Sequence, residues 1–582
     1  MKDLRSFNNF SEPLVSPAED AVIKTHTVSF HNLSGKRIVG FCDYSDNSRY
    51  PMEVVIVVPP YGKTKSGSLP LAYYLALNGF RVLRYDHTNH VGESDGSILF
   101  ASLTQMSQDL VSAINFAQRE YGVARVAVVS SSLGVRVALK VARQDPRVGL
   151  LIGLVGVFNL QGTLYAIYRE DGVEKAQRGI PLGLRDILGF QIDADNFLTD
   201  AIHANFHSLD SSLEDAQNLH TPTVFFVADK DPWVSFDEVR QVFKRIPTKR
   251  KELHLLSNTM HELHENPVST DRAFRKVVSL SEKYLSGREL GWEDVQVPEQ
   301  EVLISRFREE KGRTRAARGL NAEEEKVFWK KYLEKYAYIV NLQDYWNLLD
   351  FSNRLLGDWK RNENVLDAGC GIGNFGTFIL VRQLYQLMQM GRAAFQMLPF
   401  CRYWGVDFVD EAMHRARITH QRIQQEFKQK LGLGNGSPDI VKCSYLLLDL
   451  NQPLPIKDKH FDKICCNLVV SYLDDPLRTL KDLFRSLKPV GKIVVSSLKP
   501  HADLSQIYRN FIQVSRTAEE LEQARLLLNN AGMIKQKEAE GYYQFFSETE
   551  LRNLLVEAGG SHTQVFRSFG DQANVAVAER SP

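Results

Sequence analysis

Between Arg125 and Val137 the chain passes from an apolar run, Val126 to Val129, through Ser130, Ser131 and Ser132 into a helix-compatible segment starting at Leu133. No other stretch constrains the fold as much, because strand, sharp turn and helix must follow one another without a loop. Such a turn presents a nucleophile at its apex and requires small residues two before and two after it; around Ser132 these are Ser130 and Gly134. Three serines in a row also occur in ordinary loops, so the elbow needs partners to be persuasive. A serine hydroxyl is inert at neutral pH without a base, and the base needs an acid to hold its tautomer. In the order Ser, Asp, His, the chain supplies Asp231 after the run Thr223 to Ala228, and His261 after Leu253 to Leu256. This pattern predicts both residues at consecutive strand ends, beside the elbow.

Asn78 to Asp86 with His90, Val91 and Gly92, then Val155 to Leu160, Asp231 to Val234 and His261 to Asn266 resemble the acyl transferase subunit of the bacterial bioluminescence fatty acid reductase complex. The resemblance covers roughly residues 1–315. It implies a thioesterase-like α/β-hydrolase fold, with Ser132, Asp231 and His261 as its triad and acyl thioesters of acyl carrier protein or coenzyme A as substrates. Gly134 departs from the family's usual small residue toward the general hydrolase pattern. In a hydrolase of this class, one oxyanion-hole N–H comes from the loop after a strand such as Val54 to Val58, and the other from the residue after the nucleophile. These are Tyr61 and Leu133, although Tyr61 serves equally well as a pocket wall. His87 and His90 read as surface or pocket-rim residues, and His261 and His264 are three apart rather than the four of a zinc-protease helix, so no metal is expected. Residues 159–211 read as a cap, in which Leu164, Tyr165, Ile167, Tyr168, Leu182, Leu184, Ile187, Leu188 and Phe190 line an acyl pocket or form the cap's own core.

From Arg306 to Glu325 charges of both signs crowd together, which predicts a solvated helix or linker with no partner. We place the domain border there, giving residues 1–315 and 316–582 with separate cores. Val327 to Leu356 has helical spacing and leads into a second chemical centre. There an apolar strand, Val365 to Ala368, carries Asp367 and ends in Gly369, Gly371 and Gly373. Glycines let backbone approach a ligand where side chains would collide, and this spacing is tighter than the dinucleotide fingerprint. With Tyr403 to Asp407, Leu446 to Leu450, Phe461 to Leu468, Leu487 to Ser496 and the late segment Phe545 to Gly559, it resembles class I S-adenosylmethionine-dependent methyltransferases. That resemblance implies a Rossmann-like fold and S-adenosylmethionine as cofactor, held by Asp367, Gly369, Gly371, Gly373, Asp407, Asp449, Leu450 and Asn467. Tyr472 and His501 are candidate proton acceptors or structural neighbours of the pocket. The apolar gap between Gly373 and Tyr403 lengthens a helix or forms a lid.

Lys and Arg number 71 against 70 Asp and Glu, a formal net charge of +1 that offers no field for nucleic acid. Six cysteines without C-x-x-C spacing read as reduced thiols of a cytoplasmic protein. The sequence shows neither an export signal nor a run long and apolar enough for a membrane span. The expected fold class is therefore α/β, an α/β-hydrolase fold followed by a Rossmann-like methyltransferase fold. The expected function is a serine acyl transferase or thioesterase joined to a methyltransferase acting on a lipid or polyketide-like acceptor. The alternative is a methyltransferase with a non-catalytic module that binds acyl chains or their carrier.

Overall fold

A computed structural model describes residues 23–45, 53–188, 190–318, 322–390, 400–434, 437–500, 502, 511 and 517–581. Its first half is built on the strands β1 (Ile23–His31), β2 (Arg37–Ser45), β3 (Val54–Val58), β4 (Arg81–Tyr85), β5 (Val126–Ser131) and β6 (Val148–Leu154). A two-stranded ribbon, β7 (Leu184–Ile187) with β8 (Phe190–Asp193), sits in the cap, and β9 (Thr223–Ala228) and β10 (Lys251–Leu256) complete the main sheet. The order is β1-β2-β4-β3-β5-β6-β9-β10. The opening hairpin is antiparallel, and from β4 onward all neighbours run parallel. All five residues of β3 are buried, as a strand covered by helices on both faces requires. Parallel pairing also points every carboxyl end to the same edge, so the turns after β3, β5, β9 and β10 converge.

The second sheet contains β11 (Glu363–Ala368), β12 (Cys401–Asp407), β13 (Val441–Leu447), β14 (Phe461–Cys466), β15 (Leu487–Leu498), β16 (Gly560–Ser568) and β17 (Ala573–Arg580). Its order is β13-β12-β11-β14-β15-β17-β16, with β17 antiparallel to both neighbours. The winding reverses between β11 and β14, and ligands of open α/β sheets bind outside the strand ends at such a switch point. The chain is thus an α/β-hydrolase fold followed by a Rossmann-like methyltransferase fold.

Two expectations fail. The charge-dense stretch is helical as expected, Gln300–Arg318, and leaves Arg308, Glu309 and Arg313 exposed, but one strip of it is not solvated, with Glu310 7% and Lys311 8% exposed. Arg84, completely buried in β4, pairs with Asp43 at 2.6 Å and needs a second carboxylate, which Glu310 supplies at 2.5 Å. The same helix reaches the second half through Lys311 with Glu538, Arg308 with Glu550, and Arg315 with Asp474. The step from residue 315 to 316 falls inside it. Nor are the cores separate: Ile167 of the cap belongs to the second half's core, and Tyr168, Leu188 and Trp233 pack against it.

Candidate functional site

Ser132 caps the helix Leu133–Gln144 directly after β5, with φ 50° and ψ −131°, a strained conformation for a non-glycine residue. The small neighbours have a steric cause. A Cβ on Gly134 would lie 2.4 Å from Ser130 Oγ, which itself donates to the Val58 carbonyl at 3.2 Å. Ser130 can therefore replace the customary glycine only because Gly134 leaves room for its hydroxyl.

His261 follows β10 and Asp231 follows β9, its parallel neighbour. His261 Nε2 lies 2.8 Å from Ser132 Oγ, and His261 Nδ1 lies 2.7 Å from Asp231 Oδ2. The other carboxylate oxygen, Oδ1, accepts the backbone N–H groups of Trp233 at 2.9 Å and Val234 at 3.1 Å. With the His261 side chain 9% and that of Asp231 2% exposed, this line of hydrogen bonds is shielded from water. An ionised Asp231 draws the imidazole proton to Nδ1 and leaves Nε2 free to accept the serine proton. The Trp233 ring, 4.8 Å from that of His261, closes one side.

Tyr61, Leu188, Phe190 and Trp233 line a cavity of about 240 Å³ with Ser132 and His261. Leu188 and Phe190 thus line a cavity, whereas Leu164, Leu182 and Ile187 pack against the first half's core, Tyr165 and Leu184 project to solvent, and Ile167 enters the neighbouring core. Leu133 is buried as the first residue of the elbow helix, and Tyr61 lies in the loop after β3, where its hydroxyl donates to the Ile187 carbonyl at 3.3 Å. His87 and His90 are buried rather than at a rim. His90 Nε2 accepts the Gly62 N–H at 3.2 Å, and burial pushes its pKa down to about 3, so a neutral ring holds the β3 loop. His264, likewise pushed down to about 4 by burial, packs edge-on against Phe274.

The second site opens at the switch point. Gly369 and Gly371, at φ 76° and 51°, make the turn after β11, and a side chain on Gly369 would strike Val469 at 2.5 Å. Asp407, at the end of β12, accepts the Gly371 N–H at 2.8 Å and the Val409 N–H at 3.0 Å. Asp367 accepts from the Tyr403 hydroxyl at 2.7 Å, and burial pushes its pKa up to about 7. Asp449, Leu450 and Asn467 join these residues around a cavity of about 490 Å³. Asn467 Oδ1 is bonded by Ser352 and Ser496, whereas its buried Nδ2 has no partner among the described residues. Gly373 is not in this wall. A Cβ there would meet Ala416 at 2.7 Å and His420 at 2.9 Å, so it serves helix packing, and His420, which the sequence reading passed over, is bonded to its carbonyl at 2.8 Å.

Trp329, Tyr332, Tyr336, Tyr345 and Tyr472 form an aromatic part of the wall beside helix Ala518–Ala539. Burial raises the pKa of Tyr472 and keeps its phenol protonated at neutral pH. His501 and the gap residues 391–399 lie outside the described residues, while helix Asn374–Met390 accounts for the start of that gap. The sequence reading missed helix Ala518–Ala539, although Ala524, Leu527, Leu528, Ala531 and Ile534 mark one face at helical spacing.

Fold and site define a protein of two catalytic classes in series, a serine α/β-hydrolase type followed by a methyltransferase type. The acyl transferase family profile matches residues 44–298, and a methyltransferase domain profile matches residues 338–564. Over its first half the chain belongs to the acyl transferase family. It is 32% identical over 225 residues to an acyl transferase of Photobacterium phosphoreum, covering 39% of this chain and 71% of that one. With an acyl transferase of Vibrio harveyi it shares 30% over 232 residues, 40% of this chain and 75% of the relative. Solved structures similar to the chain include an esterase of Pyrococcus furiosus, 16% identical with a TM-score of 0.34, over 45% of this chain and 93% of that one. An esterase domain from Rhodothermus marinus is 18% identical with a TM-score of 0.34, over 45% and 99%. No helix among the described residues is long and apolar enough to cross a membrane.

Proposed function

We propose that the chain is a two-site enzyme. Residues 1–315 would cleave or transfer fatty acyl thioesters, carried by acyl carrier protein or coenzyme A, and residues 316–582 would use S-adenosylmethionine to methylate a lipid or polyketide-like acceptor. The observation that carries this reading is the unbroken line from Ser132 Oγ through His261 to Asp231, at 2.8 and 2.7 Å. A module that only bound acyl chains would need no such alignment. In the reaction His261 Nε2 takes the proton of Ser132 as Oγ attacks the thioester carbonyl. The oxyanion turns toward the N–H groups of Tyr61 and Leu133, and the thiol leaves with the proton from His261. Water or another nucleophile then repeats the sequence on the serine ester.

In the second half the residues fit a sulfonium-bearing nucleoside. Asp407 would accept from ribose hydroxyls, Asp449 and the Leu450 backbone would meet the base, and Asp367 with the Asn467 amide would face the amino acid end. Gly369 and Gly371 would keep the backbone close. The cofactor supplies an electrophilic methyl group; the protein's part is to orient the acceptor and exclude water. A serine-directed fluorophosphonate tests the first half: wild type should be labelled on Ser132 and Ser132→Ala should not, while both bind S-adenosylmethionine equally by calorimetry. An unlabelled wild type would favour the binding module.

A further inference from the structure

The two cavities share a wall. Leu528 and Ala531 of helix Ala518–Ala539 line both, and Gly532 lines the one beside Ser132. The partition therefore includes Ala531, whose side chain is a single methyl group. The helix is pinned to the first half along its length: Arg525 donates to the Tyr168 carbonyl, Lys535 pairs with Glu262 at 3.2 Å, and Lys311 pairs with Glu538. Glu262 directly follows His261. The pocket beside Ser132, about 240 Å³, is small against the roughly 300–1,000 Å³ of ordinary ligand sites. A fatty chain needs more apolar room, and the cavity across the wall, whose about 490 Å³ must also hold the cofactor, has an aromatic and aliphatic side in Trp329, Tyr332, Leu527 and Ile534.

The ionisable groups of that larger cavity bear on the acceptor. Its described lining contains no histidine. Glu325 is already held by Lys537 at 2.8 Å and Tyr543 at 2.9 Å, Asp474 is held by Arg315 at 2.5 Å, and burial keeps the phenols of Tyr332, Tyr336 and Tyr472 protonated. Asp367, Asp407 and Asp449 sit at the motif expected to hold the cofactor. A hydroxyl or carbon acceptor would have to surrender a proton to a base. A carboxylate surrenders none, since it is ionised well below neutral pH.

Resting on the function proposed above, we infer that the methyl acceptor is the fatty carboxylate freed at Ser132, and that it crosses at Leu528 and Ala531 without entering solvent. Water attacks the serine ester, His261 takes the water proton and returns it to Ser132 Oγ, and the acid leaves as a carboxylate and a proton. One carboxylate oxygen then forms a C–O bond to the methyl carbon as the C–S bond of the sulfonium breaks. The products are a neutral methyl ester and a neutral thioether, so positive and negative charge are consumed together.

The test gives the full-length protein ¹³C-dodecanoyl coenzyme A, S-adenosylmethionine and ~0.1 mM unlabelled dodecanoate, and reads the isotope ratio of methyl dodecanoate by mass spectrometry. Internal passage at an effective concentration of about millimolar should enrich ¹³C in the ester about tenfold over the bulk acid. Ala531→Trp, which thickens the wall, should return the ratio to the bulk value whatever its overall rate. A wild-type ester at the bulk ratio overturns the passage. Thioester cleavage and cofactor binding without any methyl ester overturn the acceptor while leaving the proposed function standing; no cleavage at all removes the proposed function itself. If Ala531→Trp fails to fold, the wild-type ratio across a series of dodecanoate concentrations decides the question alone.

Discussion

Replacing Asp231 by Asn exchanges one oxygen for an NH2 group in a site whose hydrogen bonds dictate which way the amide turns. Oδ1 accepts from the backbone of both Trp233 and Val234, so the Asn oxygen stays there and the NH2 group faces His261 Nδ1. Nδ1 must then accept, the ring proton moves to Nε2, and Ser132 meets a donor where it needs a base. Volume and backbone contacts are preserved, so the defect is confined to the tautomer. Losing the correct tautomer of a triad costs about 10⁴ in kcat, or roughly 5.4 kcal/mol at 1.36 kcal/mol per tenfold. The assay is the burst of p-nitrophenol from a p-nitrophenyl fatty ester in stopped flow, with far-UV circular dichroism and S-adenosylmethionine affinity as controls of folding. The expected result is a burst slowed by about four orders of magnitude with both controls at wild-type values. Acylation within about tenfold of wild type would refute the tautomer argument and point to a base other than His261.

Three further outcomes follow from the same geometry. Asp407→Ala removes an acceptor and releases the Gly371 amide, so S-adenosylmethionine binding should weaken by roughly 1.5–3 kcal/mol in calorimetry; unchanged affinity, or binding of NAD instead, would mean the glycine motif serves another ligand. Asp367 has a folded pKa of about 7, above its ordinary 3.8, so between those values the folded state keeps a proton that the unfolded chain has lost. Stability of the free protein should therefore fall as pH rises through that window, while binding of a cationic ligand strengthens by up to about tenfold per pH unit and releases a proton; constant affinity and no buffer-dependent heat between pH ~5.5 and ~7.5 would contradict this. Glu310→Ala strips the buried Arg84 of one carboxylate and should destabilise the first half by about 3–5 kcal/mol in urea unfolding, and a change below about 1 kcal/mol would show that Asp43 alone suffices.

Parallel strands make catalytic residues legible, because each apolar run ends at the same sheet edge and the residue just beyond it has few places to go. Ser132, Asp231 and His261 could be read in this way, as could Asp367 and Asp407. Gly373 was misread because a glycine spared for close packing looks the same in sequence as one spared for a ligand. The charged helix Gln300–Arg318 was misread because mixed charge normally means solvent, and its partner Arg84 lies 226 positions away. A clue was present: an arginine inside the apolar strand Arg81–Tyr85 cannot be buried without carboxylates. The shared wall was illegible for a different reason. Ala531 and Gly532 carry no chemistry, and only tertiary packing puts them between two cavities.

Ile167, Leu188 and Trp233 leave the ribosome long before the strands and helices that cover them. At about 5–20 residues per second, on the order of 10–40 s separate the end of helix Gln300–Arg318 from the end of helix Ala518–Ala539. Through that interval the newborn cap carries an apolar face with nothing to bury it. The first half cannot then be exchanged as a cassette for an unrelated hydrolase: any replacement would emerge without the residues that the later half closes upon, and the later half would fold around a gap.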